Sequence, residues 1–207
     1  LRNEHLFWRH DLPTRTAFIT RENIDDLITA AGFAGPLGIL SIDLDGNDYW
    51  VWEAIDCVQP AIVICEYNPI MGDMLPISIP YDPAFQRFDV HCSGLYFGCS
   101  IAALRHLAER KGYTFVGTNS NGINAFFVQN KFADAVLGRI RHVKAFPSRH
   151  RDSRDRDGQL TFVRGRDRFR LIEEFPVVDV RTGDRVFLHE IAEPYSEAWL
   201  AGMERSA

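Results

Sequence analysis

Two short stretches concentrate the side chains able to do chemistry. In "SIDLDGND" an apolar run ends on Asp43, and Asp45, Asn47 and Asp48 follow it closely; in "VICEYN" a second apolar run ends on Glu66 and Asn68. Carboxylates grouped this way can accept a proton, accept hydrogen bonds from hydroxyls, or serve as hard oxygen ligands to Mg²⁺. Asp43, Asp45 and Glu66 are the candidate metal ligands, with Asn68 as a further oxygen donor. Asp43 and Asp45 are also candidate catalytic groups, and Asp48, Glu66 and Asn68 candidate contacts to a substrate. His91, in "FDVHCSGLYFG", titrates near neutral pH and is a candidate base for an acceptor hydroxyl. Asn119, at a predicted strand end, is a further candidate substrate contact. Helix capping by Asp45 or Asn47, with Asp48 complementing the helix dipole, would account for one or two of these residues. It does not account for six spread over two strand ends.

Such residues meet only if the elements carrying them are neighbours. "LGILSID" and "AIVICEY" read as continuous apolar strands of the kind buried on both faces in a parallel sheet, with "NDYWVWEAIDCV" as the helix between them. In an open α/β sheet, ligands bind beyond the carboxyl ends of the strands, where Asp43 and Glu66 would then lie side by side. Upstream, "TAFIT" at 16–20 reads as a short strand and "RENIDDLITAAG" as a helix capped by Thr20 and stopped by Gly32. Downstream, a Pro- and Tyr-rich loop runs to about Gly98 and is long enough to cover a site. Ser100 caps the helix "IAALRHLAERKG", and "YTFVGTNSNGINAFFVQN" is a hairpin turning at Ser120, Asn121 and Gly122. Beyond a boundary near 148, "QLTFVRG", "PVVDV" and "RVFLHE" read as short strands and "PYSEAWLAGMER" as a final helix.

Composition narrows the classes of function. The chain has 207 residues, 46% hydrophobic and 25% charged, with a formal net charge of -5. That suits one globular core with an appendage. The densest basic patch, "SRHRDSRDRD", interleaves Asp with Arg, so nucleic acid is not an expected partner. Cys57, Cys65, Cys92 and Cys99 have no C-x-x-C spacing and read as reduced thiols. The chain contains no apolar run long enough to span a membrane and no signal-peptide pattern at its start, which gives it a cytoplasmic character.

"LSIDLDGNDYWVWEAI", "AIVICEYNP" and "YFGCSIAALRHLAERKGYTFVGTNSNGINAFFV" together resemble the later half of FkbM-type methyltransferases, class I enzymes that use S-adenosylmethionine. The resemblance covers about residues 16–130. It implies a partial Rossmann-like α/β sheet over residues 1–147 closed by an antiparallel hairpin, and a small β-rich extension over 148–207. It also implies methyl transfer to a hydroxyl of a sugar or secondary metabolite, with Asp43 beside the cofactor's sulfonium, and in some relatives Mg²⁺. The family's glycine-rich cofactor turn has no counterpart, since the chain contains no G-x-G. The expectation is therefore the carboxyl part of a longer protein, binding S-adenosylmethionine weakly or not at all by itself, with a non-catalytic remnant as the alternative. "IDLDGN" also resembles the first motif of haloacid-dehalogenase-like phosphatases, in which the first Asp attacks phosphorus with Mg²⁺ bound. Lys111 and "TGD" are the poor candidates for that family's remaining groups.

Overall fold

The computed structural model describes residues 13–148 and 152–205. The start of the chain and part of the charged segment near 150 lie outside the described residues.

The first described helix, α1 (Ile24–Ala30), begins where Ile24 N–H donates to Thr20 O, and it ends at Gly32, whose φ of +90° few other residues adopt. The strand expected at 16–20 does not form. Its last residues fold back into the helix entry instead: Thr20 N–H donates to Asn23 Oδ1, and the Asn23 amide donates to Phe18 O. Asn23, with no side-chain cap bond of its own, thus stands at the N-cap in place of Thr20.

Strands β1 (Gly35–Ile42) and β2 (Val58–Glu66) pair in parallel, with Ile42 opposite Cys65. Helix α2 (Asp48–Ala54) crosses between them and buries Tyr49, Val51 and Trp52. It is shorter than its periodicity suggests, because Val58 begins β2 and the chain must turn before it. Trp52 is 1% exposed, and its ring lies 4.9 Å from that of Phe127. Burying a side chain of that size stabilises the fold by roughly 1.5–3 kcal/mol or more. Trp50, on another face of α2, donates from its indole N–H to Ile79 O in the covering segment, at 2.9 Å.

The covering segment carries β3 (Ile77–Ser78) and the single turn α3 (Arg87–Val90). Helix α4 (Ile101–Arg110) follows, capped as expected by Ser100 Oγ, which accepts from Ala103 N–H at 3.1 Å. The hairpin β4 (Tyr113–Thr118) and β5 (Asn124–Gln129) then closes the sheet. The strand order is β1-β2-β5-β4, and β5 runs antiparallel to both of its neighbours. Helix α5 (Asn130–Leu137) continues directly from β5.

Past 148 the chain forms α6 (Arg166–Arg170), β6 (Pro176–Asp179), β7 (Arg185–Phe187) and α7 (Glu197–Arg205). "QLTFVRG" makes only an isolated bridge, Arg154 to Leu160, and α6 was not apparent from periodicity. β3, β6 and β7 form a second, antiparallel sheet, so the covering segment and the carboxyl-terminal residues share one layer. That layer is sealed by Ile77, Ile79, Leu95, Ile172, Val177 and Leu188, while Tyr195 and Trp199 reach into the main core. The fold is mixed α/β. All four cysteines are free, and among the described residues no helix is long and apolar enough to cross a membrane.

Candidate functional site

The parallel register places Asp43 one step beyond the Ile42–Cys65 pair, level with Glu66 at the end of the adjacent strand. Here the polar residues of the two motifs come together, and their individual situations differ.

Glu66 is 7% exposed, and its Oε2 is buried with no hydrogen-bond partner. Burial, reinforced by the negative charges of Asp48, Asp43 and Asp45, pushes its carboxyl up to about 8. Asp43 is exposed at the strand end; partial burial and Asp45 raise its carboxyl above the usual range, against the pull of Arg87. Asp45 occupies left-handed backbone, φ 53°, which Asp tolerates better than most residues. It pairs with the guanidinium of Arg87, whose Nε donates to Gly94 O and whose plane lies 3.8 Å from the centre of the Phe97 ring.

Other residues of the motifs serve the scaffold. Asp48 is fully buried; its carboxylate accepts from Leu44 N–H at 2.9 Å and Gly46 N–H at 3.1 Å, tying the turn between β1 and α2. Burial pushes its carboxyl up to about 6, with those two donors pulling the other way. Asp48→Ala, which strands both N–H groups, is expected to cost about 2–4 kcal/mol in chemical denaturation. A loss under 0.5 kcal/mol would remove this role. Asn68, 0% exposed, donates to Leu95 O and Phe97 O and accepts from Ile70 N–H, pinning the covering segment to the end of β2. Both of its amide hydrogens are committed. Asn119 Oδ1 accepts from Ile123 and Asn124 N–H inside the hairpin turn.

His91 is engaged by the covering segment and the carboxyl-terminal layer. Its Nδ1 lies 2.7 Å from Ser93 Oγ and its ring packs on Phe175, while burial and nearby Arg156 lower its pKa. A base acting beside the strand ends is therefore better sought in Glu66. Lys111, the lysine considered for phosphatase chemistry, bonds Glu53 O, Ile55 O and Asp56 just before β2 begins. That is the end of β2 remote from Asp43. Among the described residues no three His, Cys, Asp or Glu side chains gather into a metal site. With the charge of Asp45 answered by Arg87, the Asp43, Asp45 and Glu66 set does not fit a shared Mg²⁺ ion.

Next to Glu66 opens a cavity of about 190 Å³, lined by Glu66, Arg87, Phe97, Ile123, Asp152 and Arg168 among others. It holds room for about six waters, at roughly 30 Å³ each. Arg87, Phe97 and Arg168 carried no signal in the sequence, because their place depends on how the covering segment and the carboxyl-terminal layer fold over β2.

Comparison with known proteins adds no relative: no family model, no curated protein and no solved structure matches the chain. The fold and site define a mixed α/β protein with a pocket at the carboxyl end of β2, beside Glu66.

Proposed function

We propose that this chain supplies the acceptor side of an S-adenosylmethionine-dependent methyl transfer to a hydroxyl. The observation that carries the reading is Glu66. It is a buried carboxyl with an unsatisfied oxygen, level with Asp43, on the edge of a pocket sized for a small polyol. The closing hairpin supports it too, since an antiparallel final strand is what the resemblance to FkbM-type methyltransferases implies. The carboxylates fit hydroxyl donors, whereas the chain has no G-x-G turn to cradle a nucleoside.

S-adenosylmethionine, when bound, supplies the methyl electrophile. Glu66 accepts the hydroxyl proton; a carboxylate whose pKa lies near the working pH is a stronger base than an ordinary one and still has an ionised fraction. Asp43 accepts a hydrogen bond from the same or a neighbouring hydroxyl and orients it. Phe97 and the Arg87–Asp45 pair hold the wall against which the acceptor rests. Positioning supplies most of the effect, as expected when two substrates must meet in line.

Radiolabelled methyl transfer by the native protein to a panel of polyols tests the reading. Asp43→Asn is expected to lower transfer about 100-fold or more, with stability changed by less than about 1 kcal/mol because the side chain is exposed. Unchanged transfer in that variant removes Asp43 from the mechanism, and no transfer to any hydroxyl by a full-length protein that binds S-adenosylmethionine removes the reaction.

A further inference from the structure

The strand ends carry more negative charge than their surroundings answer. Asp45 pairs with Arg87, and Asp48 is held by two backbone N–H groups. Asp43 forms no ion pair among the described residues, and Glu66, 7% exposed at the wall of the cavity, keeps its Oε2 without a hydrogen-bond partner. The charges that bear most on Glu66 are those of Asp48, Asp43 and Asp45 against the single cation of Arg87. That guanidinium is engaged by Asp45, by Gly94 O and by the face of Phe97. The two remaining charges of the lining, Arg168 and Asp152, are opposite in sign. The cavity beside Glu66 is therefore short of positive charge, and a ligand that brings one relieves the repulsion between the carboxylates.

We infer that the pocket binds a small amino alcohol, such as an amino sugar, with a hydroxyl at Glu66 and the neighbouring ammonium at Asp43. The inference rests on the acceptor reading of this pocket and adds its substrate class. Glu66 and Asp43 end adjacent strands level with each other, and paired strands lie about 4.8 Å apart. Substituents on neighbouring carbons of one ring bridge such a gap, each with a hydrogen bond to its own carboxyl. The ring then occupies the cavity while the amine reaches toward the next strand. An ammonium on a carboxylate makes a charge-assisted hydrogen bond, roughly twice as strong as a neutral one. Asp43 is exposed, where water screens its charge, and a ring seated at Glu66 displaces part of that water. An acid would meet the same carboxylates as repulsion, and a neutral polyol would leave Asp43 unanswered. The cavity volume, about 190 Å³, suits one ring-sized acceptor and not a long chain.

The experiment is calorimetric titration of residues 1–207 at pH 6.5 with D-glucosamine, with D-glucose and with N-acetyl-D-glucosamine, which keeps the ring and loses the charge. Glucosamine is expected to bind at least about fivefold tighter than either neutral sugar, the scale of one partly screened ion pair. Asp43→Asn, at an exposed position that the fold tolerates, abolishes that preference, and Asp43→Glu keeps part of it. Equal binding of glucosamine and glucose, or N-acetylglucosamine bound as tightly as glucosamine, overturns the inference. So does the absence of glucosamine binding at millimolar concentration, or a preference that survives in Asp43→Asn. The titration needs no cofactor, so it is separable from the reaction. A protein that prefers glucosamine yet transfers no methyl keeps this inference and loses the reaction, and one that methylates neutral polyols without the preference does the reverse.

Discussion

Glu66→Gln is expected to stabilise the protein above pH 5 while removing methyl transfer. The ordinary value for a glutamate is 4.5, and burial beside Asp48, Asp43 and Asp45 carries Glu66 to about 8 in the fold. Between those values the unfolded chain has released the proton and the native protein still holds it. Native protein then binds more protons than unfolded, so rising pH erodes stability across this window. Below pH 4.5 both states are protonated and the residue contributes no difference; above 8 the full cost of an ionised, buried carboxyl is present. Glutamine has nearly the shape of the protonated acid and never ionises. Its advantage is expected to be absent at pH 4, to grow through neutrality, and to level off past pH 8 at several kcal/mol, about 1.4 for each pKa unit. Denaturant titrations of both proteins at pH 4, 6 and 8.5 measure it. The same substitution removes the base and is expected to lower transfer about 10²–10⁴-fold. A pH-independent difference in stability would show that Glu66 is ionised in the fold at neutral pH and would remove the reason for choosing it as the base.

The second large effect belongs to Gly72, where the carboxyl-terminal layer is seated. Asp73 and Met74 N–H both donate to Pro194 O, the Asp73 carboxylate accepts from Ser196 N–H and Oγ, and Tyr195 Oη donates to Ile70 O. Gly72 has a φ of +77°, and a Cβ there would lie 2.0 Å from Pro194 O. The obstacle is backbone held by those bonds, so it cannot turn aside as a side chain would. Gly72→Ala is expected to cost about 2–6 kcal/mol from backbone strain and overpacking together. Gly183 supplies the control, since it has a similar φ of +81° and nothing within 4 Å of the added atom. Gly183→Ala is expected to cost only about 1 kcal/mol. Equal stabilities would mean that the close approach of Pro194 to Gly72 does not hold the layer.

What could be read in the residues was whatever short-range physics dictates. The apolar runs ending at Ile42 and Cys65 do pair as parallel strands, and the acidic residues after them had to emerge at a common edge once β1 and β2 paired. Burial on both faces, expected from the unbroken apolar runs, is not found: in β1 only Ile42 is buried and Ile39 is 58% exposed, because among the described residues no element covers that face of the strand. Ser100, with a side-chain oxygen three residues before the amide it caps, and the Ser120–Gly122 turn are local signals of the same kind. "TAFIT" misled because strand propensity counts only when a partner offers hydrogen bonds, and there the Asn23 side chain offers the backbone another arrangement.

Roles within the acidic cluster lay beyond sequence, since a carboxylate's chemistry is set by its surroundings. Asp48 and Glu66 are both buried, yet Asp48 is held by two backbone donors, and an oxygen of Glu66 has none. That difference separates a carboxylate satisfied within its own turn from one with an oxygen left open to a ligand. His91 had the right chemistry but was carried toward Ser93 and Phe175 by the path of the covering segment. Arg168 lies about a hundred positions after Glu66 in the sequence. Only the pairing of β3 with β6 and the seating of Pro194 on Gly72 bring its layer over the end of β2. Long-range contacts of that kind depend on how whole surfaces fit together, which no local pattern of residues specifies.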